Sequence, residues 1–296
     1  MKLTHWLAVA ATAALVAACG STTQGGAVGA NRSQILIVSE AMMDEQAKLA
    51  YAETLQKASS ARTLNINTAQ TARVKNIASR LIAQTGHFRQ DALRWDWQVN
   101  VIQEKTINAW CMPGGKIAVY SGIIDTLRLT DDELAAVIGH EISHALREHS
   151  REQASANALQ NLGISAISQV AGLGDVGSTV VNTAAKYALS LPFSRNHETE
   201  ADLMGLELMA RAGYNPQAAV SVWQKMSAAS GGSVPQFMST HPSHATRIAD
   251  LQAAMPKVLP LYQNAARGGA RTKSAPAQKT QSGVRSFNTP IGQPRR

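Results

Sequence analysis

Long apolar runs, cysteines and internal repeats are scarce in this 296-residue chain. Beyond the N-terminus no stretch of 18 apolar residues occurs, so the sequence offers no internal membrane span. The absence of a repeat argues against a solenoid. There are two cysteines, Cys19 and Cys111, too few for a disulfide scaffold. Acidic residues are missing altogether from Gln263–Arg296, which holds seven of the 28 Lys and Arg. With Lys2 also set aside, 20 basic residues remain against 20 acidic ones. The formal charge of +8 therefore describes a tail, and the sequence gives no basic face for nucleic acid.

What is present divides into parts. Lys2 followed by an apolar stretch to Ala18 reads as an export signal over residues 1–18. Val16-Ala17-Ala18-Cys19-Gly20 resembles a bacterial lipobox, which implies lipidation of Cys19 and a membrane anchor. The Gly/Ser/Thr-rich stretch that follows makes 19–30 a lipidated cysteine and flexible tether. Residues 31–262 are long enough for one domain with a full core. The Gly, Pro, Ser, Gln and Arg of 263–296 predict a basic disordered tail.

The chemistry begins at His140-Glu141-Ile142-Ser143-His144. Four residues on an α-helix span about 400°, so both imidazoles share a face about 6 Å apart. Two neutral ring nitrogens at that spacing suit one Zn²⁺, with Glu141 beside them to handle a proton. Thr130-Asp131-Asp132-Glu133 is a capping box that starts the helix. Leu134, Val137, Ile138, Ile142, Ala145 and Leu146 supply its apolar stripe. Gly139 weakens such a helix and suggests a close backbone contact.

Catalytic zinc commonly takes three protein ligands. Ser194 can cap a second helix that carries Glu198 and Asp202 on one face and stops at Gly213. Glu200 lies about 200° from Glu198 and cannot share its metal. Glu198 is the expected third ligand, and Asp202 the carboxylate that accepts an N–H from a ligating histidine. His149, His197 and His244 read as non-ligands.

H-E-x-x-H followed by E-x-x-x-D resembles the zinc metallopeptidase family of HtpX and the CAAX prenyl proteases. Asn108–Gly122 is similar to that family's N-A-x-x-x-P-G-G-x-I-x-V-x-x-G segment, and Thr240-His241-Pro242 with Arg247-Ile248 to its late T-H-P…R-I motif. His144–Ser150 continues the active helix as the family does. The layout is closest to periplasmic lipoprotein members, without a repeat domain. The resemblance implies an α+β, mainly helical, zincin-like metallopeptidase with a small β-sheet. It implies one Zn²⁺ per chain on His140, His144 and Glu198, with Glu141 catalytic. A strand at Gly115, Lys116, Ile117, Ala118 and Val119 would hold extended substrate by β-strand addition. His241 would approach the metal's open position or steady the oxyanion, and Arg247 would contact the polarised carbonyl. Substrates would be unfolded or misassembled envelope proteins, cleaved as endopeptide bonds at the periplasmic face of the outer membrane. A chaperone-like lipoprotein that binds client strands, its metal site latent, is the alternative.

The remaining elements read as one or two helices over Asn31–Ser60, a helix over Thr71–Thr85, a strand over Arg94–Gln103, and helices over Pro216–Ala229 and Ser243–Ala254. Gln153–Leu191 joins the second ligand to the third. It reads as two short helices about Gly172-Leu173-Gly174, forming a lid or a buried hairpin.

Overall fold

A computed structural model describes residues 19–170, 192–229, 235–242 and 246–274, excluding the side chains of 19, 161–170 and 268–274. Helices dominate. They are α1 (Glu40–Ser60), α2 (Thr68–Ile82), α3 (Ser121–Leu127), α4 (Asp131–Leu146), α5 (His149–Val170), α6 (Arg195–Arg211), α7 (Ala218–Ala229), α8 (Gln236–Thr240) and α9 (Arg247–Ser274). No described helix is long and apolar enough to cross a membrane.

The helix α4 starts where its capping box directs. The Thr130 side chain accepts from the Glu133 amide, and the Glu133 carboxylate accepts from the Thr130 amide. Leu134, Ile138 and Ile142 of α4 are fully buried in the main core with Leu206, Leu208 and Met209 of α6. Each such side chain is worth about 1.5–3 kcal/mol in transfer from water. The suspected contact at Gly139 exists: a Cβ there would lie 3.1 Å from the Gly205 carbonyl oxygen, and one at Gly205 would lie 2.8 Å from the His140 nitrogen. The seam leaves little room for a side chain at either glycine, and the close packing lets α6 bring its acidic residues to the α4 histidines.

A three-stranded sheet, order β3-β5-β4, is made of β3 (Gln98–Ile102), β4 (Ala109–Met112) and β5 (Lys116–Tyr120). The strand expected over Arg94–Gln103 is shorter, since Asp91–Arg94 is a 3₁₀ turn. Pro113-Gly114-Gly115 makes the β4–β5 turn, with Gly114 at φ 70° and Gly115 at φ 80°. Because β5 pairs with β3 in parallel and β4 antiparallel, it is the central strand. The expected substrate strand Gly115–Val119 is therefore corrected: its pairing groups are shared with two neighbours, leaving no edge for a peptide. The outer side of β3 is capped by the Thr63–Asn65 segment, through Asn65 and the Gln103 amide. The outer edge of β4 faces the histidines.

Two segments expected to be loose are ordered. Residues 19–30 are not a free tether. Short strands β1 (Cys19–Gly20) and β2 (Gln34–Ile35) pair, and Thr23, Val28 and Ala30 between them are buried. One oxygen of buried Glu207 accepts from the Ala27 and Val28 amides at 2.7 and 3.1 Å. At φ 60°, Gly26 admits this approach, and a Cβ there would lie 2.6 Å from the same carboxylate. At the other end, α9 continues through Pro256 and Pro260 to Ser274. The tail thus starts later than Gln263, because Leu251, Ala254 and Val258 keep one buried face that outweighs the proline cost. A single helix covers the first part of the expected lid, while 171–191 and His244 lie outside the described residues.

Candidate metal centre

Four side chains converge beneath β4. One ligand atom from each of His140, His144, Glu198 and His241 lies within 4.8 Å of all the others, and none of the four residues is more than 3% exposed. The imidazoles of His140 and His144 approach at 3.0 Å, Nε2 to Nε2. The Glu198 carboxylate lies 3.6 Å from the first and 3.5 Å from the second.

The tautomers follow from the partners. His140 Nδ1 lies 3.0 Å from Asp202 Oδ1. Arg247 bonds both oxygens of that carboxylate, so it is ionised and accepts. The His140 proton is therefore on Nδ1, and Nε2 offers a lone pair. His241 Nδ1 lies 3.2 Å from the Phe237 carbonyl, which also only accepts, so its Nε2 too is unprotonated. His144 Nδ1 faces His149 Nδ1 at 2.9 Å, and His149 Nε2 faces Glu200 Oε2 at 3.0 Å. Glu200 is held by Arg32 and Arg147 and only accepts, so the N–H of the neutral His149 ring is on Nε2 and goes to Glu200; burial lowers the pKa of that ring to about 3. His149 Nδ1 then accepts from His144, which leaves His144 Nε2 as a third lone pair.

Three lone pairs and a carboxylate thus face one another. Among the described residues, His241 Nε2, Glu198 Oε1 and Glu141 Oε1 are buried without a hydrogen-bond partner. A divalent cation satisfies the whole set at once. A tetrahedral zinc with bonds of about 2.0–2.1 Å would place two ring nitrogens about 3.3 Å apart, close to the observed spacing. Burial pushes the Glu198 carboxyl up to about 8, against the pull of Arg247. Burial tends to raise Asp202 too, but Arg247 and the His140 hydrogen bond hold it at about 2.

Glu141 sits against this cluster, 3.5 Å from His241 Nε2. Burial, reinforced by Glu198, raises its carboxyl well above the ordinary value, and the Cys111 amide bonds it. Phe193 stacks on His144 at 4.1 Å between ring centroids. With Asn108–Cys111, Thr240 and His241 it lines a narrow cleft.

The structure brings together the three ligands expected from the sequence, with His241 as a fourth member. It does not place Arg247 at an oxyanion. That guanidinium is 2% exposed, gives Nε and Nη2 to Asp202 and Nη1 to Glu198, and stacks 3.4 Å from the Trp223 ring centroid. Its hydrogen bonds hold the carboxylates, so Arg247 is a support and not a contact for the carbonyl. Glu200 points away from the cluster, as its helical angle requires. The sequence reading missed the chain from His144 to His149 and Glu200. The active helix does not run on to Ser150: α4 ends at Leu146, and Glu148 turns left-handed at φ 50°. The turn folds His149 back beside His144. Only the charges around Glu148 hinted at it, since Arg89 and Arg151 hold its carboxylate.

Known proteins carry the same pattern. The profile described as Peptidase family M48 matches residues 68–255. The chain is similar to the mitochondrial metalloendopeptidase OMA1 of Arabidopsis thaliana, 39% identical over 174 residues, which is 58% of this chain and 35% of that protein. OMA1 of Schizosaccharomyces pombe is 37% identical over 187 residues, 62% of this chain and 52% of that protein. The metalloprotease LoiP of Escherichia coli is 28% identical over 156 residues, 52% of this chain and 61% of that protein. This chain thus spans about a third to a half of the two OMA1 proteins. With the profile running from α2 into α9 and enclosing every residue of the cluster, the chain belongs to peptidase family M48, and its mainly helical body with a small sheet is that of a zincin-like metallopeptidase.

Proposed function

We propose that the chain is a zinc-dependent endopeptidase acting on unfolded or misassembled proteins of the bacterial envelope. The observation that carries the reading is the convergence of three ring-nitrogen lone pairs and the Glu198 carboxylate, with a buried carboxylate, Glu141, beside them. His140, His144 and Glu198 would hold zinc. Zinc bound there supplies a Lewis acid that lowers the pKa of a water to about 7 and polarises a carbonyl.

The chain's own residues do the rest. The elevated carboxyl of Glu141 suits a group that takes a proton from the attacking water and returns it to the leaving amine. The Cys111 amide keeps Glu141 aimed. The outer side of β4 is paired with no described strand; its Ala109 and Cys111 amides already serve Asn108 and Glu141, which leaves its carbonyls to an extended peptide, a mode that reads little side-chain identity and so suits unfolded clients. Asp202 and Arg247 hold His140 and Glu198 in place.

The lipobox-like sequence at Cys19 supports an anchor on the periplasmic face of the outer membrane, after removal of residues 1–18. A second reading has a specific observation behind it. His241 completes a four-membered, almost fully buried set, and closed four-ligand sites are the structural kind. In that state the protein is latent, or acts as a chaperone-like binder of client strands.

Casein cleavage by the full chain, beside Glu141→Gln and His241→Ala with zinc quantified in each, separates these. We expect Glu141→Gln to keep zinc and lose turnover by about 10²–10⁴-fold, and His241→Ala to cleave faster. Full activity in Glu141→Gln would defeat the peptidase mechanism. Zinc without cleavage in every variant would favour the binder.

A further inference from the structure

The two zinc-facing histidines of α4 are backed by unlike partners, and the backing of His144 leads to the start of the chain. His144 donates to His149, and His149 donates to Glu200. Both Glu200 oxygens are then taken up by two arginines. Arg147 reaches them at 3.0 and 3.4 Å, and Arg32 at 3.1 Å each. Arg32 belongs to the docked N-terminal segment and also pairs with both oxygens of Glu152, at 2.7 and 2.9 Å. Arg147, 0% exposed, gives its remaining N–H groups to Ser21, Thr23 and the Arg32 carbonyl. Gln34 closes the circuit by donating to the Arg147 carbonyl and to Glu152 at 2.7 Å each.

We propose that the N-terminal segment Ser21–Gln34 is a positioning element of the metal centre, holding the His144 ring through Glu200 and His149. The physical reason is orientation. A lone pair binds a metal well only when the ring is aimed, and the N–H on the far side of the ring does the aiming. For His140 one carboxylate on a neighbouring helix suffices. For His144 the carboxylate is one imidazole further away and is itself fixed by Arg32, from a segment more than 100 residues earlier. Neither His149 nor Ser21–Gln34 touches the ligand position. They act through His144 alone. The inference rests on the metal reading above and assigns to it residues outside the matched 68–255 region.

The test is a double-mutant cycle on zinc affinity, read in the full chain by competition with a chromogenic chelator. The four proteins are wild type, Arg32→Ala/Gln34→Ala, His149→Ala and the triple variant. We expect His149→Ala to weaken zinc binding by about 10–100-fold. The Arg32→Ala/Gln34→Ala pair should weaken it by about three- to tenfold, the range of coupling through packed networks. On top of His149→Ala, the pair should add nothing, because the link is already cut. Lys57→Ala, which removes an exposed ion pair with Glu53, should leave the affinity unchanged.

The inference is overturned if His149→Ala binds zinc as wild type does. It is also overturned if the N-terminal pair has no effect, or has the same effect with and without His149. If His149→Ala fails to fold, the same cycle is run with Glu200→Gln. Wild type that binds no zinc would overturn the metal reading itself, and the positioning role with it. Zinc binding that is equal in all variants overturns the positioning role alone.

Discussion

The two imidazoles of the HExxH pair sit four residues apart on one helix, yet they are held in different ways. His140 is braced by Asp202 and Arg247, a compact support with Arg247 2% exposed. His144 is braced by a longer relay that ends at Arg32, whose side chain is 35% exposed. The first support is short, dry and built from α6 and α9. The second passes through a left-handed turn and ends at Arg32, just beyond residues 19–30, which the sequence presents as a tether. The difference teaches where rigidity and adjustability lie. Removing charge from the compact support strands buried carboxylates, whereas the outer end of the relay has water as a substitute partner.

The comparison can be broken by mutation, and the largest effect should fall on the compact side. Arg247→Ala leaves Asp202 and Glu198 buried without their cation and should cost about 3–5 kcal/mol of folding stability in the metal-free protein, measured by urea unfolding. Added zinc should recover part of that loss through Glu198. A loss below about 1 kcal/mol would mean that the two sides do not differ.

Acid should sharpen the contrast next. Burial favours the neutral form of Glu200, but His149, Arg32 and Arg147 hold it down from 4.5 to about 2. A carboxyl lowered on folding contributes stability that is complete above its unfolded pKa and lost as pH falls through the folded one. This group's share is about 3 kcal/mol above pH 5.5, of which about 2 is gone by pH 3. Glu200→Gln should therefore flatten the decline in unfolding free energy between pH 5.5 and pH 3, leaving the share of Asp202 intact. Equal slopes in the two proteins would refute the relay as an ionic support.

The smallest effect belongs to the outer end. Arg32→Ala alone should cost less than about 1 kcal/mol in unfolding at neutral pH, even though it lowers zinc affinity. A stability loss as large as that of Arg247→Ala would mean that the two supports do not differ in how tightly they are held.

Much of this centre was legible in the sequence. Thr130 with Glu133 and Ser194 marked the starts of α4 and α6. The i, i+4 spacings placed His140 and His144, then Glu198 and Asp202, on shared faces, and the helical angle removed Glu200 from the ligand set. The weak helix former Gly139 pointed to a close neighbour. What was hidden depends on tertiary partners. The Gly/Ser/Thr-rich start looks flexible by composition, but Glu207 and Arg147 saturate its polar groups, and no local pattern reports that. A strand after Gly115 was expected as an open edge, but β3 and β4 cover both of its sides, and no local pattern reports that. Arg247 carries a charge suited to an oxyanion. Only the positions of two carboxylates show it to be engaged elsewhere. The last helix, expected to stop at Ala254, runs on through Pro256 and Pro260, where the buried Val258 outweighs the proline cost.

The backbone contact between Gly139 and Gly205 has a mechanical consequence. A side chain at Gly205 would meet the His140 amide nitrogen at 2.8 Å, so any larger residue there has to push α6 away from α4. Glu198 rides on one helix and both imidazoles on the other, so the cost of such a change falls on the spacing between the carboxylate and the two rings. The two glycines thus tie the seam between the helices to the geometry of the site.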